Sequence, residues 1–452
     1  MNIKFFFYLC LITLGVQAQT ATKNWTLQAC ISHAIQNNIS VKGAELDKEL
    51  TEINQRGALG SFLPSVGANA NHSWNVGLTL NEIEGNLRNQ TTQFSSFSLN
   101  SNIVIYNGLQ NQNRYRRAQM AKIAADYQLN KIQEDIALNV ANSYLQILFN
   151  KENVKIQQQQ LLANELQLKR SEELVKGGRI PEGDLLNLKA TVAQNKQQLI
   201  VAENNLYISK LSLAQLLLLD NPTAFDIALV DYDVENSSIL LQTPSSIFEK
   251  AKQERIEIKI AQANTDLAQK DITIAKGAMM PTLSGFYSFN TRISYADVPI
   301  FENNTLVAIT SPPPFTDQFR DNKGHSFGLS LNIPIFNGFT TRNNIDRSKV
   351  AFERAKLNAK QAEINLERTI HTAYSDTQAA LKSYEASEET LKARQEALRY
   401  AKERYEAGMS NSFDLNQAQT LLNQSQADVI KAKYDYLFRL KILELYFGIK
   451  LF

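Results

Sequence analysis

The sequence has 452 residues, 20% of them charged, and a formal net charge of +2. This near balance gives no bulk electrostatic attraction to nucleic acid or to an acidic partner, which argues against those functions. The chain is long enough for several ordinary domains, and its ten prolines are few for a loop-rich fold, which favours long helices.

Residues 1–18 have the pattern of a secretory signal peptide. Lys4 precedes an apolar run from Phe5 to Val16, and Val16-Gln17-Ala18 is typical of a cleavage site with small residues. The exported chain then has one cysteine, Cys30, so it forms no intrachain disulfide and must be stabilised by packing or oligomerisation. No later segment has about 18 consecutive apolar residues, so a closed β-barrel is the remaining way to span a membrane.

Two long strands are predicted after a helix over residues 25–58 that is broken near Asn37-Asn38. In the first strand, residues 64–80, apolar side chains alternate with Gly, Ser, Asn and Thr. The second strand covers residues 94–106, and a polar loop is predicted for residues 81–93. Such long strands with one apolar and one small polar face favour lipid on one side and water on the other.

A single helix is predicted from Leu109 to about Lys176, because apolar residues recur along one seam while the other faces are polar. About 68 residues at a rise of 1.5 Å make a rod of roughly 100 Å, too long for a compact domain and typical of a coiled coil. Gly177-Gly178 and Pro181 mark a turn. A returning helix then completes a helical hairpin over residues about 109–219.

The second half of the chain repeats this plan after residues 221–246, where the pattern is mixed and strand-like at 225–232. The loop between its two strands contains Pro312-Pro313-Pro314. The predicted elements of this half are a helix at 246–278, strands at about 282–295 and 326–336, and a helical hairpin at about 339–448.

Matching residues in the two halves predict an internal duplication. Pro64 and Pro281 are 217 positions apart, whereas Gly108 and Gly338 are 230 positions apart. The separation of 230 holds from Phe97 to Leu185, which includes the turn of the first helical hairpin. The difference in length between the two halves therefore falls in the strand–strand loop, where insertions are tolerated. The predicted boundaries are 19–245 for repeat 1 and 246–452 for repeat 2.

Four strands per chain are too few to close a barrel, and an open sheet would leave bare edges in lipid. Two chains would give eight strands with a filled interior, whereas three would give twelve strands around a lumen wide enough for water. The small polar inner face favours the second arrangement. The sequence therefore predicts a mixed α and β membrane protein with an internal two-fold repeat, in which a trimeric 12-stranded β-barrel with four strands per chain continues into an α-helical coiled-coil barrel.

The change from strand to helix in repeat 2 falls within Phe327–Phe339. The alternation there places one set of side chains toward lipid and another toward the lumen. The predicted lipid-facing residues are Leu329, Leu331 and Ile333. The predicted lumen-facing residues are Ser330 and Asn332.

The order and spacing of these motifs resemble the TolC-type outer-membrane efflux proteins over the whole mature chain. The matching features are Leu63-Pro64 and Met280-Pro281 before strands, Pro334-Ile335-Phe336-Asn337-Gly338 before a helix, and a turn glycine followed after five residues by Asp-Leu. The resemblance implies a homotrimer in the outer membrane of a Gram-negative bacterium, with a helical tunnel extending into the periplasm and residues 221–246 in an equatorial belt. It also implies a periplasmic membrane-fusion adaptor and an inner-membrane efflux pump as partners.

The resemblance further implies that the two helical turns form the narrow periplasmic aperture of the tunnel. Matched at the turn glycine, Asp414 falls on an aspartate of the family's narrowing ring, Asp184 is its equivalent in repeat 1, and Tyr405 falls on a tyrosine that holds this end shut. Gln417 and Ser410 stand where the family pattern has a second aspartate and an arginine, so a weaker ring is expected. The alternative is structural, since both aspartates lie in the first turn of a helix, where carboxylates cap free N–H groups.

Six further residues are predicted to shape the backbone at turns. Gly178 and Gly408 are expected to adopt a left-handed conformation at the helical hairpin turns. Asn107-Gly108 and Asn337-Gly338 are expected to form the strand–helix junctions, and Asn337-Gly338 is expected to mark the periplasmic membrane boundary.

The sequence contains no recognisable catalytic constellation, phosphate-binding loop or nucleophile elbow. Its four histidines are scattered, so neither a metal site nor a cofactor is expected, and an enzyme is disfavoured. The leading hypothesis is a passive outer-membrane channel for small molecules in a tripartite efflux complex. The alternatives are the outer-membrane duct of a type I protein secretion system and, less favoured, a periplasmic coiled-coil scaffold without a pore.

Overall fold

A computed structural model of the chain describes residues 25–81, 85–228, 238–302 and 305–449, so the predicted signal peptide lies outside the described residues. The α-helices in these ranges are α1 (Leu27–Asn37), α2 (Ile39–Gly60), α3 (Gln110–Lys176), α4 (Glu182–Leu216), α5 (Pro244–Glu254), α6 (Ile256–Gly277), α7 (Phe315–Asp321), α8 (Thr340–Glu406) and α9 (Ser412–Tyr446). The strands are β1 (Ser65–Asn81), β2 (Asn86–Asn107), β3 (Thr282–Ser294), β4 (Val298–Glu302), β5 (Thr305–Thr310) and β6 (Gly324–Asn332).

The chain forms two compact units, each built from separate stretches of the sequence. One unit consists of residues 1–43, 131–255 and 365–452, and the other consists of residues 44–130 and 256–364. Each unit therefore draws on both halves of the sequence.

A four-stranded antiparallel sheet in the second unit has the order β1-β2-β3-β6. Residues directly opposite each other in such a sheet share a face. One face carries the apolar set, which includes Val66, Ala68, Ala70, Trp74, Val76, Leu99, Ile103, Leu283, Tyr287, Phe289, Phe327, Leu329 and Leu331. The other face carries mainly Gly, Ser and Asn, including Asn69, Asn71, Ser98, Asn100, Ser288, Asn290, Ser330 and Asn332.

The apolar face of this sheet is largely uncovered in the single chain. Val76 and Phe327 are 82% and 81% exposed, and Leu329 and Leu331 exceed 60%. An apolar surface this continuous is unusual for a monomer in water and marks a contact with lipid or protein.

Two strand boundaries differ from the sequence predictions. Strand β2 begins at Asn86 rather than at residue 94, because β1 extends to Asn81, which pairs with Asn86. The polar residues at the start of β2 pair through their backbones, so hydrophobic alternation does not reveal them. Strand β6 ends at Asn332 rather than at residue 336, since Pro334 has no N–H to donate to a ladder.

The predicted loop between β3 and β6 contains further structure. Strands β4 and β5 form a separate antiparallel pair. Helix α7 lies across the apolar face of the main sheet, where Phe319 contacts the rings of Phe97 and Phe289 at centroid distances of 5.6 and 6.3 Å. Gln318 is 8% exposed, and its side chain bonds the backbone N–H and C=O of Ser294, both at 2.9 Å.

Short helices precede each strand pair, and each is interrupted once. The predicted break near Asn38 is present, because Asn38 has an extended backbone between α1 and α2. The helix predicted without interruption at 246–278 also breaks, at Arg255, which is extended with ψ of 135°. Thr26 and Thr243 cap α1 and α5 in the same way, each hydroxyl accepting the N–H three residues later at 3.2 Å.

The first unit has a hydrophobic core in which α1, α3 and α4 meet the segment around Phe225 and Ile227. Tyr144 is fully buried there and its hydroxyl donates to the carbonyl of Ala228 at 2.9 Å. Of the predicted strand at 225–232, the described part contains one parallel bridge, between Trp25 and Ile227. Residues 229–232 lie outside the described ranges.

Over the part of the chain that the structure covers, none of the helices combines the length and the apolar character that crossing a membrane requires.

Candidate functional site

Both helical hairpins turn at a glycine with a left-handed backbone. Gly178 has φ of 68° and Gly408 has φ of 71°. At each turn the glycine N–H bonds a carbonyl three residues earlier, and the next N–H bonds a carbonyl five residues earlier, such as Met409 N–H to Arg404 at 2.8 Å. This bonding satisfies the last carbonyls of the helix, and a side chain at the glycine would strain the backbone.

The two turns are joined by a hydrogen bond between the first turns of the helices that follow them. The hydroxyl of Ser412, which is 6% exposed, donates to Oδ1 of Asp184 at 2.8 Å. Asp184 therefore lies at the start of α4 and also fixes the start of α9. Asp184 is half-buried, so this residue is only partly exposed to solvent.

Asp414 has a different environment from Asp184. Asn411 caps α9, and its side-chain oxygen accepts the backbone N–H of Asp414 at 2.9 Å. Capping therefore belongs to Asn411, while the carboxylate of Asp414 is exposed in the first turn of the helix. Such a carboxylate adds favourable interaction with the helix dipole and leaves its oxygens free for solvent or cations.

Tyr405 and Gln417 lie on either side of the second turn. Tyr405 is half-buried in the last turn of α8, and within the described residues its hydroxyl has no hydrogen bond. Gln417 is exposed on α9 and lines an open groove of about 400 Å³.

The lining of this groove is mainly uncharged and polar, a feature that the sequence predictions missed. The lining residues on α4 and α9 recur at three- and four-residue spacing, with Thr191 and Thr420 between the amides, which places them on one side of each helix. This recurrence of polar uncharged residues is the sequence signal by which the groove could have been predicted. The amide-bearing residues that line it on these helices are Asn187, Gln194, Asn195, Gln198, Asn416, Gln417, Asn423 and Gln424.

The strand–helix junctions have the same local structure in both halves. The Asn107 side-chain oxygen accepts the N–H of Asn111 at 3.3 Å, and Asn337 accepts that of Thr341 at 3.4 Å. Gly108 and Gly338 follow with φ of 64° and 61°. Each junction asparagine thereby satisfies a free N–H in the first turn of the long helix.

Ionisable residues in the described ranges form no group of three or more His, Cys, Asp or Glu that could hold a metal. His72 instead bonds neighbouring polar side chains on the sheet, with its Nδ1 2.8 Å from the hydroxyl of Ser95. His325 similarly has its Nδ1 2.9 Å from the hydroxyl of Tyr287. Both histidines lie on the apolar face of the sheet.

Comparison with known proteins gives agreement over most of the chain. The outer membrane efflux protein family matches residues 30–217 and 247–448. The outer membrane protein TolC of Escherichia coli is 23% identical over 403 residues, covering 87% of this chain and 76% of that protein. The pyoverdine export outer membrane protein OpmQ of Pseudomonas aeruginosa is 25% identical over 332 residues, covering 71% of this chain and 63% of that protein.

Solved structures agree with the fold. The outer membrane protein VceC of Vibrio cholerae superposes with a TM-score of 0.75 at 16% identity, covering 94% of this chain and 97% of that one. At this identity the likeness concerns the fold alone, whereas the family match extends over both halves of the sequence. The chain therefore belongs to the outer membrane efflux protein family, the TolC-type channels of the bacterial outer membrane.

Proposed function

We propose that three copies of this chain form one passive channel, in which a shared 12-stranded barrel continues into a periplasmic α-helical tunnel. The observation that carries this proposal is the four-stranded sheet with one apolar and one polar face and with β1 and β6 at its edges. Four strands cannot close, and twelve leave room for a water-filled lumen. Lipid then covers the apolar face and water fills the space along the polar face.

The proposed lumen has small neutral walls. Ser330 and Asn332 share the polar face, while Leu329 and Leu331 share the apolar face. Ile333 follows β6 and is 56% exposed. Small Ser, Asn and Gly side chains leave a wide path and discriminate little between solutes, so selection of cargo falls to other components.

We also propose that the chain arose by internal duplication, with repeats at 19–245 and 246–452. Helices α3 and α8 both have 67 residues, and α4 and α9 both have 35. Their starts are separated by 230 positions, and the starts of α1 and α5 are separated by 217. The family match in two segments supports the same division.

The proposed role is export of small molecules in a tripartite complex with a periplasmic adaptor and an inner-membrane pump. A relative named for pyoverdine export supports an export role of this kind. The energy source is assigned to the pump.

The aperture is proposed to lie at the helical turns, with Asp414, Asp184, Tyr405 and Gln417 around it. The exposed carboxylate of Asp414 is the best placed to meet cations. Three copies would form a ring of negative charge, and a narrow ring attracts multivalent cations strongly. Gln417 adds amide groups instead of a second charge.

Single-channel recording in planar bilayers tests this function. The purified wild-type protein should give discrete conductance steps that hexamminecobalt(III) blocks from the periplasmic side. Asp414→Asn should weaken the block, and Asp414→Glu, which keeps the charge, should retain it. A protein that never produces steps contradicts the channel, while an unchanged block in Asp414→Asn contradicts only the assignment of Asp414.

A further inference from the structure

The sheet leaves two strand edges without partners among the described residues. Strand β1 pairs only with β2, and β6 pairs only with β3. Bare edges with free N–H and C=O groups are templates for pairing with another strand. The strand that pairs with each edge can be inferred from the register of the strand pairs within the chain, which is the same in both repeats.

The pairing within repeat 1 recurs within repeat 2 at every position shared by the two strand pairs. Adding 217 to the β1 residue and 230 to the β2 residue converts the pair Ser65–Asn102 into Thr282–Asn332. The same operation converts Ala70–Phe97 into Tyr287–Phe327. The separations of 217 and 230 positions therefore relate the strand register of repeat 1 to that of repeat 2.

The β2–β3 pairing joins the second strand of repeat 1 to the first strand of repeat 2. The equivalent pairing would join the second strand of repeat 2, which is β6, to the first strand of a repeat 1, which is a β1 strand. The β1 strand of the same chain lies at the opposite edge of the sheet, so this strand must come from a second copy.

In the barrel proposed above, β6 of one copy adjoins β1 of the next, and we propose that these strands pair antiparallel in the register obtained by applying both separations to the β2–β3 pairs. This proposal rests on the proposed function and adds a specific interface to it. The pair Asn100–Ser288 becomes Ser330 with the partner's Asn71, and Asn102–Phe286 becomes Asn332 with the partner's Asn69. The pair Phe97–Thr291 becomes Phe327 with the partner's Trp74.

This register keeps both faces of the sheet continuous across the interface. On the apolar face, bulky Leu331 lies opposite the partner's Ala70, and Phe327 lies opposite the partner's Trp74. On the polar face, small side chains lie opposite one another. A slip of one residue would bring apolar residues opposite polar ones.

The early end of β6 is also explained if this strand lacks a neighbour in the single chain. Strand β2 continues to Asn107 because β3 pairs with it as far as Thr282. In repeat 2 the corresponding residues, 333–337, lie beyond the end of β6. The β2–β3 register shifts between Val104 and Tyr106, and the residue equivalent to Val104 is Pro334, which is tolerated at such a bulge.

A pair of glycines gives a second, independent observation. Gly108 and Gly277 pack so closely that a Cβ added at Gly277 would lie 2.5 Å from the carbonyl oxygen of Gly108. Their equivalents are Gly338 and Gly60, and each has no atom within 4 Å of its added Cβ in the single chain. Gly338 has a positive φ, but Gly60 does not. Close packing of Gly60 against Gly338 of the next copy accounts for the absence of a side chain at position 60.

Disulfide cross-linking of the full-length protein in outer membranes tests the register. The chain with both Ser330→Cys and Asn71→Cys should give covalent multimers on oxidation, and each single variant should not. Within one chain these positions are three strand spacings apart, about 14 Å, which exceeds the reach of a disulfide. Cys30 is a poor competitor, because it is fully buried and burial raises the pKa of its thiol to about 12.

The matched control is Ser330→Cys with Ser73→Cys, which lies on the same face two residues away and should lose the cross-link. Multimers in this control, or their absence in the predicted pair while the wild type forms channels, would overturn the register alone. A wild type that remains a single chain would overturn the proposed function as well.

A variant pair tests the glycine contact. Gly60→Val should leave the monomer folded, because its added atoms have open space, but should abolish assembly. Gly57→Val in the same helix also has open space, and its repeat 2 equivalent is the large residue Ile274, so assembly should continue. Wild-type assembly in Gly60→Val would contradict the inter-copy packing.

Discussion

At the scale of single residues, the best-defined polar cluster is centred on Asp226. Lys151 and Lys210 contact its Oδ1 at 2.7 and 3.1 Å, and the N–H of Ile227 donates to the same oxygen at 2.8 Å. Burial acts to raise the pKa of Asp226, but these hydrogen bonds outweigh it and lower the pKa below its ordinary value. The cluster ties α3 and α4 to the segment that follows them.

Replacing Asp226 by Asn should destabilise this unit by about 1 kcal/mol at pH 7, a value discounted because the carboxylate is one-third exposed. A lowered folded pKa gives stability that is complete above the unfolded pKa and is lost as pH falls through the folded pKa. The difference between variant and wild type should therefore shrink as the solution becomes strongly acidic.

Urea unfolding in detergent at pH 7 and at about pH 3 measures this difference. Asp220→Asn is the matched control, since Asp220 is exposed and has no ion pair within the described ranges. A deficit in Asp226→Asn that stays constant between the two pH values would contradict the electrostatic account.

The two turn aspartates illustrate the limit of sequence comparison at this scale. The separation of 230 relates Asp184 to Asp414, but it relates Ser412 to Glu182. Asp184 therefore receives a hydroxyl from Ser412, whereas Asp414 lacks the corresponding neighbour. Equivalent positions are thus predictable from the 230-residue separation, while their contacts depend on residues that differ between the two halves.

At the scale of elements, the long helices were predictable and the short elements were not. The turn glycines and the helical hydrophobic period locate α3 and α8 to within a residue or two, because 67 residues carry a sustained period. Helix α7 has seven residues and follows a run of prolines, so its own sequence carries too little periodicity. Its position depends on tertiary contacts with the sheet.

Gln318→Ala should release α7 from the sheet, because it removes bonds to Ser294 and to the carbonyl of Pro313 at 2.8 Å. Losing bonds worth roughly 1 kcal/mol each should speed backbone hydrogen exchange in residues 315–321 by about tenfold or more. Thr316→Ala, at an exposed position of the same helix, should leave exchange unchanged. Equal exchange in Gln318→Ala and wild type would show that the aromatic contacts suffice.

At the scale of the whole molecule, the alternation in the sequence predicted both faces of the sheet, and strand counting predicted that one chain is incomplete. The family match then identified the protein as an outer-membrane efflux channel. The strand ends were less predictable, since β2 begins in a polar segment that has no hydrophobic alternation, and β6 ends at Asn332 although apolar residues continue beyond it.

The most direct test of the shared channel is native mass spectrometry of the protein extracted from outer membranes in detergent. The account predicts a particle of three chains that dissociates to single chains on heating. A particle of one chain, or a closed particle of two, would contradict it.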